Sequence, residues 1–188
     1  MVTLTSADIK EAREFTLLIP TTRTGEVLHP IAKMYLKEPS FSKLFKFKFK
    51  YTIMQNESKR KAEEAITKKG MPILNIGSIF TFPNKKADGK HIMKLMVVVM
   101  TTKNTSRSFT TQVLQHVCSK LVEKVYTTPV VNVALPIPDI KGASLTHRKA
   151  TLDAFIEGLH KSPTSFTIYL DDELMKYAKK KYPAYLAN

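Results

Sequence analysis

The sequence holds a single cysteine, Cys118. That excludes an internal disulfide framework and any cysteine-clustered zinc site, and it suits a reducing compartment, so the cytoplasm is the expected location. Acidic residues are scarce as well: Asp and Glu number 16 against 30 Lys and Arg, a net charge of +14 at pH 7. Such an excess favours polyanionic partners. Long apolar runs are missing. The most apolar stretch, Leu95–Met100 within KHIMKLMVVVM, is far shorter than the roughly 18–20 residues of a spanning helix. The start, MVTLTSADIKEAREF, has no basic segment leading into an apolar run, so no secretory signal is expected. Neither a G-x-S-x-G elbow nor a Walker loop occurs. The histidines, His29, His91, His116, His147 and His160, lack the paired spacing of metal ligands. Neither a metal nor a cofactor is expected.

What remains is enough to fold. A chain of 188 residues that is 43% hydrophobic and 9% aromatic is too apolar for a disordered basic tail and long enough to bury its own core. Its pattern alternates strands with helices. Val2–Leu4 reads as a short strand, followed by Ser6 as the cap of a short helix. Phe15–Ile19 reads as a buried strand stopped by Pro20. The turn-forming stretch from Pro20 to Leu28 then leads to a helix over His29–Lys37, with Pro30 in its first turn. In LFKFKFKYTI, Phe45, Phe47, Phe49, Tyr51 and Ile53 alternate with Lys46, Lys48 and Lys50, an extended segment with one apolar and one cationic face. Ser58–Lys69 reads as a solvent-facing helix ended by Gly70. MPILNIGSIFTFPN gives a strand pair around Gly77, and Asp88–Gly89 signals a hairpin.

Beyond it, His91–Met100 is a central strand. Thr111–Val125 is a helix whose Val113, Leu114, Val117, Cys118, Leu121, Val122 and Val125 recur at 3.6-residue spacing, which places Cys118 in the core. Val130–Leu135 is a strand, Thr146–His160 a helix with Ala150, Leu152, Phe155, Ile156 and Leu159 facing inward, and Ser165–Leu170 a last strand. Residues 171–188 form a basic helical tail after a domain that spans 1–170. The alternation predicts a three-layer α/β/α fold with a mixed, mainly parallel sheet. Ligands collect at the carboxyl ends of such strands, where two loops fall: Pro20–Leu28 and Pro136–Leu145. The first either binds phosphate through backbone N–H groups or simply connects strand to helix. In the second, Gly142, Ala143 and Ser144 form an anion nest, or Gly142 relieves a tight turn.

The order of a strand ending LLIP, the helix HPIAKMYLKE, NIGSIF beside KHIMKL, the helix QVLQHVCSKLVEKV and the segment ALPIPDIKGASL resembles the macrodomain, or ADP-ribose-binding, family over roughly residues 13–170. The resemblance implies a cleft for ADP-ribose or a related phosphorylated nucleotide, with Pro20, Thr21, Thr22, Gly25, Pro136, Ile137, Gly142, Ala143 and Ser144 as its ligand-binding residues. In the subgroup that hydrolyses ADP-ribosyl groups, a lysine after the central strand and an aspartate in the second loop do the chemistry, and Lys103 and Asp139 are the nearest candidates. Whether the chain is an enzyme is left open.

Charge supplies an alternative. Lys43–Lys69 carries nine lysines and arginines against three glutamates. Lys46, Lys48 and Lys50 would stand about 7 Å apart along one strand face, a spacing that suits phosphates of RNA or DNA and equally suits a solvated edge strand. Together with Lys59, Arg60 and Lys61, and with the lysines and tyrosines of the tail, they describe a surface for nucleic acid or for an acidic protein on a macrodomain-like scaffold without nucleotide activity.

Overall fold

The computed structural model describes residues 1–23, 27–31, 75–84, 91–101, 111–127, 132–138 and 143–187. In chain order its elements are β1 (Val2–Thr5), a 3-10 turn (Ile9–Glu11), β2 (Thr16–Thr22), β3 (Ile79–Pro83), β4 (Lys94–Thr101), α1 (Thr111–Thr127), β5 (Val133–Pro136), α2 (Leu145–Leu159), β6 (Phe166–Tyr169), α3 (Asp172–Lys181) and a second 3-10 turn (Pro183–Tyr185). The strands form one sheet in the order β1-β6-β5-β2-β4-β3. All neighbours run parallel except β3, which lies antiparallel on β4 with Ile79 opposite Val98. The sheet is therefore mixed and mainly parallel, as its near-continuous apolar strands predict.

Period-two alternation divides the core. Val2, Leu4, Leu18, Met96, Val98, Val133, Leu135, Phe166 and Ile168 point to one face, where α1, α2 and α3 cover them. Leu17, Ile19, Leu95, Val97, Val99 and Ala134 point to the other, together with Ala12, Ile31 and Ile92. The expected helices over His29–Lys37 and Ser58–Lys69, the Asp88–Gly89 hairpin and the Phe/Lys alternation of Lys46–Lys50 lie outside the described residues, apart from the turn at 29–31.

Several local expectations are corrected. Pro20 does not stop its strand: β2 continues to Thr22. The β5 ladder has already ended at Leu17 opposite Ala134, and the Pro20 carbonyl accepts from Leu28 N at 2.8 Å. In a parallel strand a residue's N–H and C=O point to the same side, so the donor that proline lacks falls where no strand needs it. Ser6 is not the first cap. Asp8 is, its Oδ1 accepting from Lys10 N at 2.9 Å, because the turn starts at Ile9. Around Gly77 only the second strand, β3, is described. Gly77 itself sits at φ +86° in the turn before it and donates its N–H to Val99 O at 2.8 Å. Of the residues expected to face inward on α2, Ala150 is exposed, and Thr151 and Ala154 are buried instead.

The helices pack closely. At Gly158 on α2 an added Cβ would come 2.4 Å from the Cβ of Cys118 on α1. Cys118 is 1% exposed, and burial pushes its thiol pKa up to about 12. The C-terminal helix is basic, as expected, but it is docked: Leu174, Met175 and Ala178 are buried in the helix-side core. Its tyrosines do not form an aromatic surface between the lysines. Tyr177 and Tyr182 turn inward and donate to the Asp153 carboxylate of α2 at 2.9 and 2.8 Å, and Lys181 Nζ joins them at 2.7 Å. Lys176, Lys179 and Lys180 remain exposed. Among the described residues no helix is long and apolar enough to cross a membrane.

Candidate functional site

Four neighbouring strands, β1, β6, β5 and β2, run parallel, so the segments that follow them leave the sheet on one side. Those segments meet in a cavity of about 570 Å³. Ser6–Ile9 comes from the end of β1, Leu170 and Asp171 from the end of β6, Ile137 and Pro138 from the end of β5, and His29 and Pro30 from the chain that leaves β2. Ala143 and Arg148, flanking the start of α2, complete the wall, with Tyr169 at its edge. A cavity of this size lies within the range of small-molecule sites, and its place is where ligands collect in open α/β sheets.

The polar groups on the wall are held by short-range contacts. Asp8 is fixed by capping its 3-10 turn. Ser144 caps α2, its Oγ accepting from His147 N at 3.3 Å and lying 2.9 Å from His147 Nδ1. Asp171 caps α3, accepting from Leu174 N at 3.0 Å, and pairs with Arg148, which also reaches Glu173 at 3.4 Å. His29 Nδ1 accepts from Ile31 N at 3.1 Å. The result is a cleft with one guanidinium and two carboxylates on rigid supports, next to the N-terminus of a 15-residue helix. Backbone N–H groups and positive dipole at that terminus favour an anion. Among the described residues no group of three or more His, Cys, Asp or Glu could hold a metal ion.

The residues expected from the sequence divide. Ile137 and Ala143 line the cavity. Ser144 sits beside Ala143 as the helix cap, and Pro136 is buried as the last residue of β5. Pro20, Thr21 and Thr22 are buried within β2, where Thr21 Oγ1 donates to Val98 O at 3.1 Å, and are not among the residues that line the cavity. Gly25, Gly142, Lys103 and Asp139 lie outside the described residues, as do Lys46, Lys48, Lys50, Lys59, Arg60 and Lys61. Sequence reasoning missed Asp8, Arg148 and Asp171. The signal that finds them is sheet order: once β1 and β6 are known to stand next to β5, the residues after them must converge on the loop after β5.

Comparison by sequence finds no match, neither to a protein-family model nor to a curated protein. Comparison by structure finds many. A point mutant of the Oceanobacillus iheyensis macrodomain is similar at a TM-score of 0.62 and 12% identity, over 96% of this chain and 87% of that one. The macrodomain of Mycobacterium tuberculosis DarG is similar at 0.60 and 14% identity, over 90% and 97%. Thermosipho africanus DarTG, solved in complex with ADP-ribose, is similar at 0.57 and 14% identity, over 92% of this chain and 42% of that one. These likenesses are of fold: the chain has the macrodomain fold, in a form whose sequence has diverged widely.

Proposed function

We propose that the cleft binds ADP-ribose or a related phosphorylated nucleotide. The observation that carries this reading is the cavity of about 570 Å³ formed where four parallel strands end, beside the start of α2. Support comes from the fold, since proteins that share it have been solved with ADP-ribose. In this reading the diphosphate rests against the backbone around Ile137 and Ala143, with Ser144 completing that wall and Pro136 anchoring it, and Gly142 is the further ligand-binding residue proposed from the sequence of this loop. Arg148 supplies the charge-assisted hydrogen bonds that phosphate oxygens accept. The Asp8 carboxylate, an acceptor only, suits an amino group of the base. Pro20, Thr21 and Thr22 hold the opposite wall through β2, and Gly25 belongs to the loop that continues it. Binding does not require turnover. Lys103 and Asp139 are the residues whose substitution would report hydrolysis of ADP-ribosyl groups if it occurs.

The test is calorimetric titration of the full chain with ADP-ribose, beside a short single-stranded RNA at two salt concentrations. A nucleotide binder releases heat with ADP-ribose and gains thermal stability by mass action, about 2.7 kcal/mol at a ligand concentration 100 times Kd. Ala143→Glu, which adds a carboxylate to the wall, and Gly142→Val should remove both signals. No heat and no thermal shift with ADP-ribose, together with RNA affinity that falls steeply with salt, would overturn the reading in favour of the basic surface.

A further inference from the structure

Among the described residues that line the cleft, Arg148 is the only lysine or arginine. Its guanidinium is already clasped. Asp171 Oδ2 pairs with Nη2, and Glu173 Oε2 lies 3.4 Å from Nη1. The three side chains meet because two helices begin side by side at this end of the sheet. Arg148 closes the first turn of α2, donating its backbone N–H to Ser144 O at 3.1 Å. Asp171 is the cap of α3, and Glu173 stands in its first turn.

Neither helix needs this clasp in order to start. Asp171 caps α3 through its other oxygen, Oδ1, which accepts from Leu174 N at 3.0 Å, and α2 is capped by Ser144. Both carboxylates are half-exposed or more, so water solvates them once they are released. The Glu173 contact is also longer than the roughly 2.7–2.9 Å of a charge-assisted hydrogen bond. Carboxylate and phosphate present the same kind of charged acceptor to a guanidinium fork, so a phosphate at this wall competes with Asp171 and Glu173 for the same N–H groups. A neutral hydroxyl does not. We infer that Asp171 and Glu173 are an internal competitor, holding the anion subsite of the free cleft and exchanged for the phosphate of the ligand on binding. The inference rests on the nucleotide reading of the cleft and adds its regulation: affinity is set by an exchange of ion pairs, not by capture of an unpaired cation. Salt then screens the free and bound states alike, and wild-type affinity should depend little on ionic strength.

The experiment is titration of the full chain with ADP-ribose at low and high salt, for wild type, for Asp171→Asn with Glu173→Gln, and for the same pair of substitutions added to Arg148→Ala. Asparagine caps a helix as well as aspartate does, and its amide nitrogen cannot accept from the guanidinium, so α3 keeps its start while the clasp is lost. At low salt the double variant should bind about tenfold more tightly than wild type, a difference of about 1.4 kcal/mol. High salt should erase much of that gain and leave wild-type affinity nearly constant. Added to Arg148→Ala, the two substitutions should change affinity little. An equal gain with and without Arg148 would reveal plain repulsion between ligand and carboxylates and overturns the exchange alone, as does a double variant no tighter than wild type. No binding of ADP-ribose by either wild type or the double variant overturns the cleft reading and this one with it.

Discussion

The helix-covered face of the sheet and the open end of its parallel strands are made from different material. Under the helices, Phe155, Phe166, Leu114 and Leu121 are all but inaccessible to solvent, and each comes from the regular period of its own strand or helix. At the open end the wall is drawn from five separate segments, and its chemistry sits in Asp8, Arg148 and Asp171, each held by a cap or an ion pair and not by burial. In the proposed reading, cohesion and recognition are thus assigned to different residues. A substitution should move one and leave the other.

The largest effect belongs to the covered face. Phe155 is fully buried, and Phe155→Ala should lower unfolding free energy by about 3–5 kcal/mol, read from the denaturant midpoint. The affinity of the remaining folded molecules for ADP-ribose should be unchanged. Gly158→Ala tests the same face in the opposite sense. Alanine favours a helix over glycine by about 1 kcal/mol, yet here the new methyl meets the Cβ of Cys118 at 2.4 Å and the helices must part. Overpacking of this kind costs about 1–3 kcal/mol, so the net result should be a loss. Cys118→Ala in the same chain should restore stability only in part, because it removes the sulfur at 2.8 Å and leaves the Cβ at 2.4 Å.

A pH series probes the junction between α2 and α3. Lys181 is held above its ordinary pKa chiefly by its hydrogen bond to Asp153 and next by Tyr177. Tyr182 is pushed from 10.0 up to about 12, first by burial and then by its bond to Asp153. Both groups hold their protons more tightly in the folded state. The Tyr182 contribution is therefore complete below pH 10 and is lost as pH climbs through about 12, and that of Lys181 is lost at higher pH still. Cys118 adds a loss of the same sign between 9.0 and about 12. The difference between wild type and Asp153→Asn isolates the network: urea midpoints of the two should converge as pH rises through this window. A constant gap would show that the network contributes only through packing.

Periodicity makes the covered face legible in the amino-acid order itself. Of the α1 stripe, Leu114, Val117, Cys118, Leu121 and Val125 are buried as their spacing implies while Val113 and Val122 at its edges are half-buried, and the β4 and β5 runs are interior strands. Order and spacing of these elements also carry the resemblance to macrodomains. Among the described residues, the cleft is legible at Ile137 and Ala143, which share a loop with a recognisable pattern. Asp8 and Asp171 are hidden because their role depends on β1 and β6 standing side by side, although the paired Val2 and Phe166 are 164 positions apart. Pro20 misleads because a proline's effect depends on which neighbour its missing donor would face, and that is a property of the sheet.

The smallest expected stability change sharpens the comparison most. Arg148 keeps a quarter of its side chain exposed and pairs with Asp171 and Glu173, themselves well exposed. Exposed ion pairs contribute about 0–1 kcal/mol, because water solvates the separated charges nearly as well and holding two side chains in register costs entropy. Arg148→Ala should therefore leave the denaturant midpoint almost unmoved. A guanidinium that faces bound phosphate in a cavity partly shut off from water is in a different position, and its removal should weaken ADP-ribose binding about tenfold or more. Arg148→Lys should restore only part of that loss, since a single ammonium cannot make the paired hydrogen bonds of the fork. If affinity instead stays constant while stability falls, the cation serves the α3 cap through Asp171, and the cleft must recognise phosphate through the backbone.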